Sequence, residues 1–397
     1  MKIGSVNHRS STPSSTGSVF YSYGFRPFFL GGALFAGLAV PAWIVMLTVT
    51  GQSVRLPDAR HWHVHEMVFG FLPAVITGFL LTAIPNWTAR PPIQGRTLMQ
   101  LFSLWLAGRL LMAIPWTPPA LSLLIDGSFF VVVAGLVWRE LAIGRSWHHA
   151  PVAVVISLYA GANIFHHLAS TDEGLDPPVR IALGLIMVLL ALLGGRLVPN
   201  FTREFLREQA HLRQPASFSG VDALSLLCVA VAALSWVLQP QSRGTGWLLM
   251  GAGIANGARL VRWYGWLTWR EPLVLILHCG YAWLVLALML LGGSVLGFGL
   301  AEEDAVHALT TGAIGVMTLA VMTRATLGHT GRSRHAGPVT VAMYLLMTIG
   351  ALVRVFGPST DFSMTLVLAT AGAGWSGAYL LFFAVYGPYV LRPDIES

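Results

Sequence analysis

HWHVHEMVFGFLPAVITGFLLTAIPNWTAR, residues 61 to 90, sets three histidines and a glutamate ahead of a long apolar run. Between Met67 and Pro85 no residue is charged. A run of that length can cross the hydrocarbon core of a bilayer as a helix, which takes about 20 residues. Comparable runs fill the chain: of 397 residues 55% are hydrophobic and 10% charged. The mean hydropathy is +0.67, and soluble domains carry about 25% charged residues. About twelve spans can be laid off, near 27–50, 64–85, 97–115, 119–140, 151–170, 178–198, 219–238, 245–263, 272–296, 305–327, 338–356 and 362–390. The runs are continuous and do not alternate, which excludes a membrane β-barrel. The expected fold is an all-α polytopic membrane protein with a single domain over 21–397, preceded by a Ser/Thr-rich disordered tail over 1–20.

The formal charge of +7 does not indicate nucleic acid, because position accounts for it. Most Lys and Arg, among them Arg90, Arg96, Arg139, Arg145, Arg203 and Arg332, fall on the N-terminal side of the twelve-span layout. The opposite side receives only Arg55, Arg60, Arg180 and Arg243. Cytoplasmic loops carry the excess of positive charge, so both termini are expected in the cytoplasm and the lipid bilayer is the first partner. The two cysteines, Cys228 and Cys279, sit in separate spans with no CxxC or CxxCH pattern, so neither a disulfide framework nor a covalently attached haem is indicated.

An internal repeat organises the chain. His65 aligned with His307 brings 65–90 onto 307–332 without a gap, matching Gly70 with Gly312, Thr88 with Thr330 and Arg90 with Arg332. LVPNFTR, ending at Arg203, echoes AIPNWTAR. Pro27, Pro151 and Pro272 open the first, fifth and ninth spans, and their spacings are 151 − 27 = 124 and 272 − 151 = 121 residues. Three units of four helices, about 21–145, 146–269 and 270–397, fit this spacing.

The layout also sets the depth of the histidines. His61, His63 and His65 lie at the outer end of the second span, His307 at that of the tenth, and His166 and His167 at that of the fifth. His278 and His329 fall toward the inner face. Imidazole is a common ligand of haem iron and copper. Haem takes axial ligands from facing helices, and His65 with His307, matched in repeat and depth, suits that geometry. His61 and His65, four apart, share a helix face that His63 does not. A second metal can draw on His61 or His63 with His166 or His167, which as neighbours face different ways. Glu66 can orient a ligand, accept a proton or coordinate a metal directly. Arg109 and Arg354 sit near the outer ends of their spans, where each needs a partner: a haem propionate, or a helix-end carbonyl or Asp361. His278 lies beside Tyr281, where a hydrogen-bonded pair competes with a functional site.

GFRPFFLGGALFAG, HWHVHEMVFGFLPAVITGFLLTAIPNWTARPP, LGGRLVPNFT, HCGYAWL and HALTTGAIGVMTLAVMTRATLGHTGR together resemble the NnrS family of bacterial membrane proteins. The resemblance runs from about residue 24 to the end. It implies non-covalent haem b and copper, a role in nitric oxide metabolism or nitrosative stress defence, and the bacterial inner membrane. The motif histidines carried over are His63, His65, His278, His307 and His329. Twelve helices in three units also resemble the catalytic subunit of haem–copper oxidases, but the paired histidines those enzymes carry on their sixth, seventh and tenth helices are absent here. Two readings stay open. One is a redox protein acting on nitric oxide or a related small nitrogen oxide, with Glu66 as proton donor and an electron donor that no motif identifies. The other is a transporter of metal, haem or a metal–nitrosyl, or a nitric oxide sensor without turnover.

Overall fold

The computed structural model describes residues 18–49, 58–169 and 175–395. The expected tail over 1–20 lies outside them except for its last three residues. Among the described residues there is no strand. Twelve long helices follow one another: α1 Phe25–Val49, α2 Ala59–Thr88, α3 Arg96–Met112, α4 Pro119–Ile143, α5 Ala150–Leu168, α6 Pro177–Glu208, α7 Gly220–Leu238, α8 Arg243–Val261, α9 Pro272–Leu296, α10 Glu302–His329, α11 Pro338–Phe356 and α12 Met364–Leu391. Ten are long and apolar enough to cross a membrane. The other two are α3, with 17 residues, and α8, which carries Arg243 and Arg259. The chain is a multi-pass, all-α membrane protein.

Local chemistry sets the helix starts. Proline, whose missing N–H costs nothing in a first turn, opens α4, α6, α9 and α11. Ser219 and Asp222 close a reciprocal cap on α7, and Asp58 accepts the His61 amide at the start of α2. The two ends of the described chain meet: Arg26 donates to the Val390 and Arg392 carbonyls and pairs with Asp394. The Ile395 amide bonds the Thr330 carbonyl at 3.1 Å.

Helices α2 and α10 are the most enclosed of the ten candidate spans. Each contains a π-helical stretch, Glu66–Phe71 in α2 and Ala308–Gly315 in α10. Under the gapless alignment of His65 with His307, both stretches begin at the residue after the histidine. A π turn widens the helix and redirects the side chains next to it, and such turns collect at functional sites. Gly70 and Gly312 lie within them, and each permits a close approach: a Cβ on Gly70 would strike the Arg109 guanidinium, and one on Gly312 the Trp283 ring.

A buried polar knot ties α6 to α9. Arg259 on α8 donates to Asp222 Oδ1 at 2.9 Å, the Ala191 carbonyl at 2.8 Å and Tyr281 Oη at 3.0 Å. Tyr281 in turn donates to Asn256 Oδ1 at 2.7 Å. Every arm reaches a different helix, so the guanidinium fixes their relative positions. Asp222→Ala, which strands that charge, is expected to destabilise the folded protein by about 3–5 kcal/mol. Steric-trap unfolding in bicelles measures this, and an unchanged unfolding free energy would contradict the assignment.

Candidate functional site

The histidines of α2 divide between two sides of the helix. His61 stacks on His166 with centroids 4.7 Å apart and planes 10° from parallel. His65 lies 5.4 Å from His166 and 5.1 Å from His167. His63 instead stacks on Trp43 at 4.0 Å, on the side facing α1. Residues four apart share a face and residues two apart do not. The helix is therefore a wall between two sites.

On the first side α2, α3, α4 and α5 enclose a charged cluster. His65 and Glu66 are fully buried, Asp126 is 2% exposed, and His166 and Asn163 are buried with them. The Glu66 carboxylate accepts from His65 Nδ1 at 2.9 Å. In the neutral ring, with its proton on Nδ1, His65 Nε2 is a bare lone pair 3.2 Å from Asp126 Oδ2. His167 Nε2 reaches the same oxygen at 2.9 Å, and Asn163 Nδ2 donates to it at 3.0 Å. Arg109 donates from Nη1 to Glu66 Oε1 at 2.6 Å and from Nη2 to Asp126 Oδ1. The ligand atoms of His65, Asp126 and His167 lie within 4.8 Å of one another. Both ring nitrogens of the buried His166 and Oε2 of Glu66 lack a hydrogen-bond partner among the described residues.

The electrostatics favour a cation here. Two buried carboxylates face one guanidinium, so with neutral imidazoles the cluster carries about one negative charge in a medium where unpaired charge costs several kcal/mol. A lone pair facing a carboxylate oxygen is repulsive unless a proton or metal lies between them. Two imidazoles and one carboxylate form a donor set suited to copper, zinc or ferrous iron. Asn163 and the Glu66–His65 contact supply the outer hydrogen bonds that orient such ligands.

On the second side α1, α2, α6, α10, α11 and α12 line an open-mouthed cavity of about 610 Å³. Its size falls within the roughly 300–1,000 Å³ of cofactor and small-molecule sites. His63 and His307 line it together with Trp43, Phe71 and Trp375, and its charged lining is Arg60, Arg180 and Arg354 with Glu302 and Glu303. His307 Nδ1 donates to the Glu303 carbonyl at 2.6 Å. A carbonyl can only accept, so Nε2 is the bare nitrogen. Arg354 pairs with Asp304 at 2.8 Å, and Arg180 approaches Glu302 at 3.8 Å.

This geometry revises several expectations. His65 does not share a site with His307; the two-residue offset on α2 puts His63 there instead. Arg109 is bound to Glu66 and Asp126 and is not available to a propionate, because its short reach across Gly70 ends on those carboxylates. The partner of Arg354 is Asp304, a residue not singled out from sequence. His278 joins neither site: it bonds Thr202 Oγ1 at 2.7 Å near Trp263, and Tyr281 is bonded instead to Arg259 and Asn256. His329 packs between Tyr23 and Phe25 at the opposite end of α10. The sequence reading missed Asp126 and Asn163. Asp126 leaves a signal, as the one charge in the outer two-thirds of an otherwise apolar span; Asn163 leaves none.

Asp126→Ala and His65→Ala are each expected to abolish tight binding of one metal equivalent, and Asn163→Ala to weaken it about 10–100-fold. His278→Ala should leave it unchanged. Metal content by mass spectrometry and competition titration provide the measurement, and full occupancy in Asp126→Ala would contradict the site.

Comparison of the chain with curated proteins finds no match. The family model described as NnrS protein matches residues 19–394, nearly the whole chain, and the chain belongs to the NnrS family.

Proposed function

We propose that this protein holds haem b in the His63–His307 cavity and a copper ion at His65, Asp126 and His167, and acts on nitric oxide in the bacterial inner membrane with its termini in the cytoplasm. The observation that carries the reading is the pair of imidazoles, on α2 and α10, facing one large apolar cavity with three arginines among its lining residues. The donor chemistry fits a planar macrocycle with anionic side groups: imidazole for the iron, aromatic and aliphatic walls for the ring, and for the propionates the lining arginines, of which Arg354 and Arg180 would share them with Asp304 and Glu302. His307 is prepared for ligation, since its Nδ1–H···O=C bond leaves Nε2 free and holds the ring in place.

Bound haem would supply a site for a neutral diatomic gas and a one-electron couple, and the copper a second. The chain does the rest. Apolar walls give neutral nitric oxide a path from lipid to the cavity. Arg109 holds Glu66 and Asp126 on one guanidinium, which keeps α2, α3 and α4 in fixed register. Reduction of two nitric oxide molecules to nitrous oxide and water takes two electrons and two protons, and two separate one-electron centres suit that count. Because the two sites lie on opposite sides of α2, they do not form one binuclear pocket. The interlocked ion pairs favour fixed cofactors over a transported cargo, which would require the polar groups to separate.

An optical spectrum of the purified protein, with nitric oxide added to the reduced form, tests the reading. His307→Ala and His63→Ala should each lose haem, while His65→Ala keeps it and loses copper. Retention of full haem by His307→Ala would overturn the assignment. Consumption of nitric oxide marks turnover, and a stable nitrosyl spectrum marks binding alone.

A further inference from the structure

The third four-helix unit contains a feature that neither site uses. Three buried threonine–tyrosine pairs bridge α10, α11 and α12: Thr318 with Tyr379 at 2.7 Å, Thr323 with Tyr344 at 2.6 Å and Thr340 with Tyr386 at 2.8 Å. All six residues are buried. The pairs lie at graded depth. Thr318 and Thr323 are five residues apart on α10, about 7.5 Å along the axis, and Tyr344 and Thr340 are four apart on α11, about 6 Å.

Both ends of the series meet something polar or open. At the upper end Tyr379 packs against Trp375 and Phe71, and Thr318 bonds the Ile314 carbonyl; Trp375, Phe71 and Ile314 all line the His63–His307 cavity. At the lower end Tyr386 lies against Tyr389, which Arg332 covers at 4.2 Å. Arg332 lines a polar vestibule of about 400 Å³ together with Glu204, Glu271, Arg324 and His335. Buried hydroxyls without partners flank the series. Thr326, three residues beyond Thr323, and Ser376, three before Tyr379, have no hydrogen-bond partner among the described residues. Hydroxyls three apart share a helix face, and a buried polar group of this kind is normally satisfied by internal water.

We propose that these three pairs, joined by internal water, form a proton relay from the Glu271 vestibule to the floor of the His63–His307 cavity, a role that rests on the redox reading above. Thr318 and Thr323 rest with their hydroxyls on the Ile314 and Leu319 carbonyls; each would turn from that carbonyl to release its proton to the next hydroxyl or water as it accepts one, so no tyrosine needs to ionise. The protons are consumed with electrons at the cavity and are drawn from the arginine-rich end of the bundle. Hydroxyl pairs that merely hold helices together would need neither the flanking groups nor the graded line.

Two measurements test the relay. Radiolytic footprinting of the purified protein, which reports on water beside buried side chains and needs no cofactor, should oxidise Tyr344, Tyr379 and Tyr386 several-fold faster than Tyr159. Tyr159 is equally buried and bonds a backbone carbonyl, with no threonine hydroxyl beside it like those paired with the three relay tyrosines. Equal rates would overturn the relay. In haem-loaded protein, proton uptake on reduction, followed by stopped flow with a pH indicator, should slow by about 10²-fold in Tyr344→Phe and Thr323→Val. Ser225→Ala should not slow it, and the absorption spectrum should be unaltered. Wild-type rates in both relay variants would likewise overturn the proposal. A protein that binds no haem would count against the redox reading, and the footprinting result would still decide the relay.

Discussion

Arg109 joined to both Glu66 and Asp126 is the interaction on which the rest depends. A guanidinium and two carboxylates within a membrane helix bundle persist only where they pair, because removing each from water costs several kcal/mol and little else repays it. The pairing draws three helices together at one depth and leaves one carboxylate charge in excess. The cluster is thereby a structural clamp and a candidate cation site. The packing answers to the same interaction: Gly70 has no Cβ because the guanidinium lies against that turn.

From that clamp the roles of α2 follow. Its outer turns present His61 and His65 to the charged cluster and His63 to the cavity shared with α10. The π stretch beginning at Glu66 then opens the turn beneath. The matching stretch in α10 begins at the residue after His307, so the two most enclosed candidate spans carry the same local device at aligned positions. One faces a buried metal-type donor set, and both border the large cavity. A single helix thus separates two chemically different environments while supplying ligand-type side chains to each.

Much of this was legible in the sequence. Continuous apolar runs gave twelve helices, because a backbone in lipid must satisfy its own hydrogen bonds and helix is the only local solution. The four-residue spacing of His61 and His65 told which rings share a face, and topology brought His166 and His167 to their level. The partnering of His65 with His307 was not legible, because repeat equivalence gives depth and not azimuth; the ring that reaches α10 is two residues earlier, at His63. Arg109 was legible as a buried cation in need of an anion, but the anion lies on α4, and the choice of Asp126 depends on how α3 and α4 pack. Asn163, a neutral side chain in a helical run, announces nothing until the fold places it against Asp126.

The central claim is that α2 separates two distinct centres. Anomalous scattering recorded at the iron and copper edges from crystals of the purified protein tests it most directly. An iron peak is expected in the cavity between His63 and His307, and a separate copper peak among His65, Asp126 and His167, on the other side of the helix. Both peaks in a single cavity, or no peak beside Asp126, would contradict the claim.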